Sequence, residues 1–396
     1  MMKRELEIYV HIPFCVRKCD YCDFLSFPAA PETYREYAGA LKREIRGFED
    51  PGRYEVVSIY FGGGTPSLPD PELTVSVLDQ ILQKFCVRED AEITIECNPG
   101  TLTKEKLEIF RRAGFNRLSI GLQSADDSLL SKLGRIHTWE KFKAEYADAR
   151  RAGFSNISVD LMYALPGQTC QVWRQTLEKV LDLSNEGCAA DRPRGPEHIS
   201  AYSLIIEEGT PFWDRYHEDA MTKARGDRPL FLPDEQAEDQ MQKDLERTLQ
   251  EAGMHRYEIS NYALPGRESR HNTGYWIRRE YAGFGLGASG QIGRERLRNT
   301  SDLAKYLEAE HPLQEVTQLS RDNEIEETMF LGLRRMEGVD LDRFEETFQM
   351  RAEDLYSEVI QQLTSTGLLE ISRGHLKLTE RGIEVSNLVM ADFLLD

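Results

Sequence analysis

Cys15, Cys19 and Cys22 stand within eight residues in the stretch YVHIPFCVRKCDYCDFLSF, directly after a short apolar run. Thiolates so closely spaced on one loop can close around a single metal centre, and soft sulfur ligands favour iron–sulfur clusters, zinc or copper(I). Structural zinc usually takes four ligands, commonly two Cys or His pairs from separate segments, and no second pair lies nearby. A 4Fe–4S cluster held by three thiolates leaves one iron open to a substrate. The alternatives are a three-cysteine zinc site completed by His11, which falls on the same strand face as Tyr9 and away from the loop, and unliganded thiols.

Other residues able to do chemistry fall at the ends of apolar runs. Gly62, Gly63 and Gly64, followed by Thr65 and Pro66, lack the side chains that would keep backbone groups away from a ligand's polar end. The segment has no Gly-Lys-Ser or Gly-Lys-Thr sequel, so it is not a phosphate-binding P-loop. Glu96 and Asp160 are carboxylates within apolar strands, costly to bury without a partner such as a ribose hydroxyl, an ammonium group or a structural arginine. Gln123 ends another such run, and Arg135 in LGRIHT can meet a carboxylate or cap a helix. Much later, HNTGYW brings an imidazole, His271, together with Tyr275 and Trp276. That combination suits either a haem ligand flanked by aromatics or a hydrogen-bonded packing residue.

The elements that must position these residues alternate. Strands are predicted at 7–10, 55–61, 91–97, 117–123, 156–165 and 198–205, with helices at 33–48, 71–85, 103–113, 139–152 and 171–183 between them. Strand–helix alternation implies a parallel α/β sheet, and ligands of such sheets bind beyond the carboxyl ends of the strands, where the candidate residues lie. Residues 184–197 read as a surface insertion and 209–233 as loop before a helix at 234–252. The glycine-rich 282–291 either approaches the site or only connects. Helices are predicted at 302–309, 322–336 and 351–366, then two short strands around Arg373 and Gly374, a winged-helix-like pattern.

A net charge of −19 over 396 residues argues against nucleic-acid binding, which needs clustered Lys and Arg. The same composition makes a packing or interaction role the better reading of the C-terminal part. No secretory signal or membrane-spanning run is visible, so a cytoplasmic protein is expected. Cys86, Cys97, Cys170 and Cys188 read as isolated thiols.

C-x-x-x-C-x-x-C after Y-x-H-I-P-F resembles the radical S-adenosylmethionine (SAM) superfamily, in the branch that holds oxygen-independent coproporphyrinogen dehydrogenase and HemW. The resemblance implies a partial (β/α)6 barrel over residues 1–230, a covering segment at 231–300 and a mainly helical, winged-helix-like domain at 301–396. It also implies a 4Fe–4S cluster on Cys15, Cys19 and Cys22. SAM would be held by Tyr9, Tyr21, Gly63, Gly64, Thr65, Glu96, Gln123, Arg135 and Asp160. The decarboxylating relatives continue with one residue and a fourth cysteine, whereas Asp23 and Phe24 follow Cys22 here, as in HemW. HNTGYW fits the HNxxYW pattern that HemW associates with haem, making His271 a haem-site candidate. A haem chaperone is implied, with haem, an apo-haemoprotein acceptor and a protein reductant as partners. Oxidative decarboxylation of coproporphyrinogen III is the alternative, and peripheral membrane contact stays open.

Overall fold

The computed structural model describes residues 3–186 and 193–395; Cys188 and part of the expected 184–197 insertion lie outside the described residues. Six strands, β1 (Arg4–Ile12), β2 (Tyr54–Gly63), β3 (Val87–Cys97), β4 (Arg117–Gln123), β5 (Ile157–Tyr163) and β6 (His198–Ser203), pair in parallel and in chain order. Right-handed crossovers between strands added always on the same side put every connecting helix on one face. The other face is left free to curl inward as an open barrel.

The strand sequences state that division residue by residue. On the helix-covered face Leu6, Ile8 and Val10 of β1, Ile59 and Phe61 of β2, and Leu118, Ile120 and Leu122 of β4 are buried in the main core. The alternate positions are polar. Glu7, Ser58, Glu92, Arg117, Ser158 and His198 all lie inside, each at most 6% exposed. Register aligns them across the sheet, with Glu96 beside Ser119, Ser119 beside Ser158 and Ser158 beside His198. Period-two alternation thus separates an apolar outer face from a polar inner one.

The sheet continues at both ends. Beyond β6 come β7 (His255–Glu258) and β8 (Asn261–Ala263), antiparallel. On the far side of β1 lie β9 (Tyr281–Phe284), parallel to it, then β10 (Ser289–Ile292), β11 (Glu295–Asn299) and β12 (Leu313–Gln318). The glycine-rich 282–291 stretch is therefore strand at both ends, its first strand laid against β1, which leads into the cysteine loop. The expected loop at 209–233 contains the helix Pro211–Ala224, capped by Thr210 with Pro211 at its first position. Charged residues at many positions of that helix hide its apolar stripe, although the Thr-Pro start is a legible helix signal.

HNTGYW forms the helix Arg270–Trp276, capped by Ser269, which lies against β2 from the inner side. Gly274 makes this approach feasible: a Cβ there would stand 1.9 Å from the Glu7 carboxylate, which is fully buried and bonded to Arg279 at 2.8 Å. One core runs from Leu6 to Tyr306 and includes the helix Glu235–Glu251, tied to the Cys170–Leu181 helix by Trp173 Nε1 donating to Met241 O at 2.9 Å. A second core runs from Ile325 to Phe393 around a sheet of β13 (Val339–Asp340), β15 (His375–Leu378) and β14 (Leu369–Ser372). The predicted 351–366 helix is broken at Tyr356 into Ala352–Leu355 and Ser357–Ser365.

Alanine at two helical glycines should act in opposite directions. Gly39→Ala, which meets nothing nearer than Arg43 at 3.9 Å, should stabilise by about 0.5–1 kcal/mol through helix propensity. Gly274→Ala should destabilise by about 1–3 kcal/mol through overpacking on Glu7. Urea midpoints of the two variants check the pair, and equal shifts would refute the close-approach role of Gly274.

Candidate active site

The three thiols emerge where β1 ends, and each is half-buried. The loop is pinned at its base by Cys15 N donating to Phe27 O at 3.1 Å and Phe27 N to Pro13 O at 2.8 Å. Its far side is held by Asp20, whose N–H donates to Leu133 O at 3.1 Å and whose carboxylate meets Arg215 at 2.7 Å.

A hydrogen-bonded arc joins two of the thiols. Cys15 Sγ lies 3.4 Å from Thr65 Oγ1, Asn98 Nδ2 donates to Thr65 Oγ1 at 2.7 Å, Arg135 Nη2 donates to Asn98 Oδ1 at 2.6 Å, and Arg135 Nη1 reaches Cys19 Sγ at 3.5 Å. Arg135 Nη2 also donates to Gly121 O, which leaves Nε buried and unpartnered beside the thiols. The Arg135 guanidinium is thus spent on the Cys19 thiol, Asn98 and the β4 carbonyl of Gly121. Asn98, absent from the sequence expectations, is the joint of the arc; the Asn-Pro-Gly turn after β3 was its only signal.

The glycines work by close approach. Gly63, at φ +110°, has the His11 ring 2.5 Å from where a Cβ would sit, and a Cβ on Gly64 would stand 2.8 Å from Phe14 O. Their N–H groups have protein acceptors, Glu96 Oε2 at 3.0 Å and Ile12 O at 2.8 Å, so these donors are not free for a ligand as the glycine run alone suggested. His11 is likewise engaged, with Nδ1 at 3.0 Å from Tyr9 Oη and Nε2 at 2.9 Å from Leu25 O. That arrangement gives no support to His11 as a zinc ligand.

Glu96 accepts from Tyr60 Oη at 2.8 Å as well as from Gly63, and Tyr9 stacks on Tyr60 with ring centroids 6.3 Å apart. Asp160 accepts from Ser119 Oγ at 3.1 Å and Ser158 Oγ at 3.3 Å. Burial pushes the Glu96 carboxyl up to about 7 and raises that of Asp160, the nearby like charge adding to the shift at Glu96. Gln123, held at φ +69°, ends β4 on the same rim. Tyr9, Glu96, Gln123, Arg135 and Asp160 are half-buried while the polar layer beneath them is fully buried, so they line a space instead of filling a core. Tyr21 packs near Phe212, 6.3 Å between ring centroids, beside the same loop.

His271 sits deeper. Its Nδ1 is 2.9 Å from Ser58 Oγ, its Nε2 is 2.9 Å from Tyr275 Oη, and its ring stacks on Tyr60 at 5.0 Å. Burial and the Arg117 and Arg279 charges push its pKa down to about 3, so it is a neutral imidazole with both nitrogens engaged. Of the two readings of this residue, the structure presents the packing one: an iron ligand at Nε2 would have to break the Tyr275 contact. A second, matching chain links Ser158 Oγ, His198 Nδ1 at 2.8 Å, and His198 Nε2 to Tyr257 Oη at 2.8 Å.

Residues 9–180 match the radical SAM superfamily and residues 319–385 the HemN C-terminal domain. The chain is 36% identical over 392 residues to the heme chaperone HemW of Bacillus subtilis, covering 98% of both chains. The chain belongs to the HemW family of radical SAM proteins. It is also 36% identical to the heme chaperone HemW of Lactococcus lactis, covering 100% of this chain and 99% of that one. To the mitochondrial radical S-adenosyl methionine domain-containing protein 1 of Danio rerio it is 31% identical, over 99% of this chain and 86% of that protein. In fold it matches the coproporphyrinogen III oxidase HemN of Escherichia coli with a TM-score of 0.83 and 23% identity, over 99% of this chain and 90% of that one.

Radical SAM membership implies a 4Fe–4S cluster and SAM. The residues present fit both groups: soft thiols on one loop, an unpartnered guanidinium N–H beside them, and carboxylates lining the adjoining space. Among the described residues no helix is long and apolar enough to cross a membrane.

The raised pKa of Glu96 fixes the sign of a pH effect. The folded protein holds this proton more tightly than the unfolded chain, so the resulting stabilisation is full below pH 4.5. It falls as pH rises from 4.5 to about 7, and is absent above that. Glu96→Gln should flatten this part of the stability profile of the apoprotein, measured as urea midpoints from pH 4.5 to 8. An unchanged slope would refute the assignment.

Proposed function

We propose that this chain is a haem carrier built on a radical SAM scaffold, which takes up haem and passes it to apo-haemoproteins. The observation that carries this reading is its similarity, from end to end, to proteins named heme chaperone HemW. The residues after Cys22 agree with it: Phe24, 65% exposed, stands where the decarboxylating relatives carry a further cysteine. Coproporphyrinogen decarboxylation is the second reading, favoured by the fold shared with HemN.

In this proposal Cys15, Cys19 and Cys22 ligate the 4Fe–4S cluster. Arg135, carried on the Asn98 joint, faces the cluster thiolates and the carboxylate of SAM. Glu96, Thr65, Gly63 and Gly64 border the methionine portion, Asp160 and Gln123 the ribose side, and Tyr9 and Tyr21 flank the bound nucleoside. Cluster and SAM together supply one-electron chemistry when both are bound. The protein's contribution is to hold them in a mouth closed beneath by packed polar side chains. A protein reductant and an apo-haemoprotein acceptor complete the set of partners.

Anaerobic reconstitution tests both readings. The reconstituted protein should bind haem and deliver it to an apo-haemoprotein, while coproporphyrinogen III is left intact. Decarboxylation without haem binding would overturn the carrier reading. In the triple variant Cys15→Ala, Cys19→Ala, Cys22→Ala, bound iron and sulfide should fall to background; near-complete cluster content would refute the ligand assignment.

A further inference from the structure

A cleft of about 590 Å3 lies between the barrel and the helix Arg321–Leu333 of the C-terminal part. Its volume is within the range of small-molecule sites. Tyr275, Trp276, Tyr281 and Phe330 contribute aromatic walls, and Tyr9 opens it toward the candidate mouth. The indole N–H of Trp276 is buried without a partner.

One end of this apolar space is cationic. Arg278 and Arg296 line it, and both are bridged by one carboxylate: Glu327 accepts from Arg278 Nε at 3.2 Å and from Arg296 Nη2 at 2.8 Å. Glu324, three residues earlier on the helix, pairs with Arg278 at 3.7 Å and with Arg294 at 2.7 Å. Three arginines thus face two carboxylates, leaving an excess of positive charge. Arg278 also occupies the left-handed region, φ +55°, which costs a side-chain-bearing residue on the order of 1 kcal/mol and marks a position held by its surroundings. Arg296 is 42% exposed at its side chain whereas Arg278 and Glu327 are 13% and 8% exposed, so the cluster runs from the rim of the cleft inward.

We propose that this cleft seats a porphyrin dicarboxylate, the macrocycle between the aromatic walls and its carboxylates on Arg278 and Arg296 in place of Glu327. Glu327 is then an internal stand-in for the ligand, holding the arginines while the cleft is empty and competing with the ligand when it enters. Guanidinium forks match carboxylates in geometry, and the flat apolar face suits the ring. The proposal rests on the carrier reading and adds to it where the cargo sits, at a place distinct from His271.

Absorption titrations of the full chain with haem, and with haem dimethyl ester whose carboxylates are blocked, test it. Wild type should bind haem about tenfold or more tightly than the ester. Arg278→Gln with Arg296→Gln should weaken haem binding to the level of the ester and leave ester binding alone. Glu327→Gln should tighten haem binding several-fold, with cluster iron and sulfide unchanged in every variant. Should the double variant fail to fold, Glu327→Gln and the ester comparison still decide. Haem binding by wild type with no ester discrimination and no response to Glu327→Gln would overturn this inference alone, whereas no haem binding by wild type would overturn the carrier reading with it.

Discussion

Every part of this site depends on keeping polar groups paired inside a parallel sheet. A carboxylate or guanidinium removed from water is costly unless its hydrogen bonds are replaced, and the inner face carries Glu7, Glu92, Glu96, Arg117 and Asp160 at strand positions. Serines and tyrosines between them supply the partners. Ser119 and Ser158 serve Asp160, Tyr60 serves Glu96, and Arg279 meets Glu7. The lower layer is buried, and Glu96 and Asp160 in the upper layer of the same face stay half-buried at its open side. Stability and recognition draw on one pattern of alternation.

The cysteine loop inherits its position from that sheet. β1 pairs with β9 as far as Val10 and with β2 as far as Ile12, so the chain enters the cysteine loop from a strand held on both sides. Gly63 and Gly64 then let His11 and Phe14 come within van der Waals range of the β2 end. The arc from Thr65 through Asn98 to Arg135 spans the ends of β2, β3 and β4 and ties two thiols to three strands. A rearrangement of any of those strand ends would reach the thiols through hydrogen bonds.

The Arg270–Trp276 helix links this interior to the C-terminal part. Its buried side carries His271 to Ser58 and Tyr275, and its end delivers Arg278 to Glu324 and Glu327. A short helix therefore fills the polar interior with one face and meets the second core's helix with its C-terminal turn. Glu324 and Glu327 of the helix Arg321–Leu333 find their cationic partners there, in Arg278, Arg294 and Arg296.

Much was determined by the sequence alone. The six parallel strands, most helices between them, the terminal hairpin and the cysteine loop follow from periodicity, capping residues and spacing, because these are local properties. The carboxylates Glu96 and Asp160 stood out as misfits in apolar runs, yet they belong to a polar face that includes Ser58, Arg117 and His198, visible as period-two alternation once one face is known to be inward. What only the tertiary structure decided is which long-range partners meet. His271 finds Ser58, 213 residues away, and Arg135 finds Cys19 at a separation of 116. Glu327 finds Arg278 and Arg296 across the boundary between two cores. Such pairings are set by strand order and by the direction in which helices cross, so no local pattern announces that HNTGYW packs inward or that a run of glycines serves close approach.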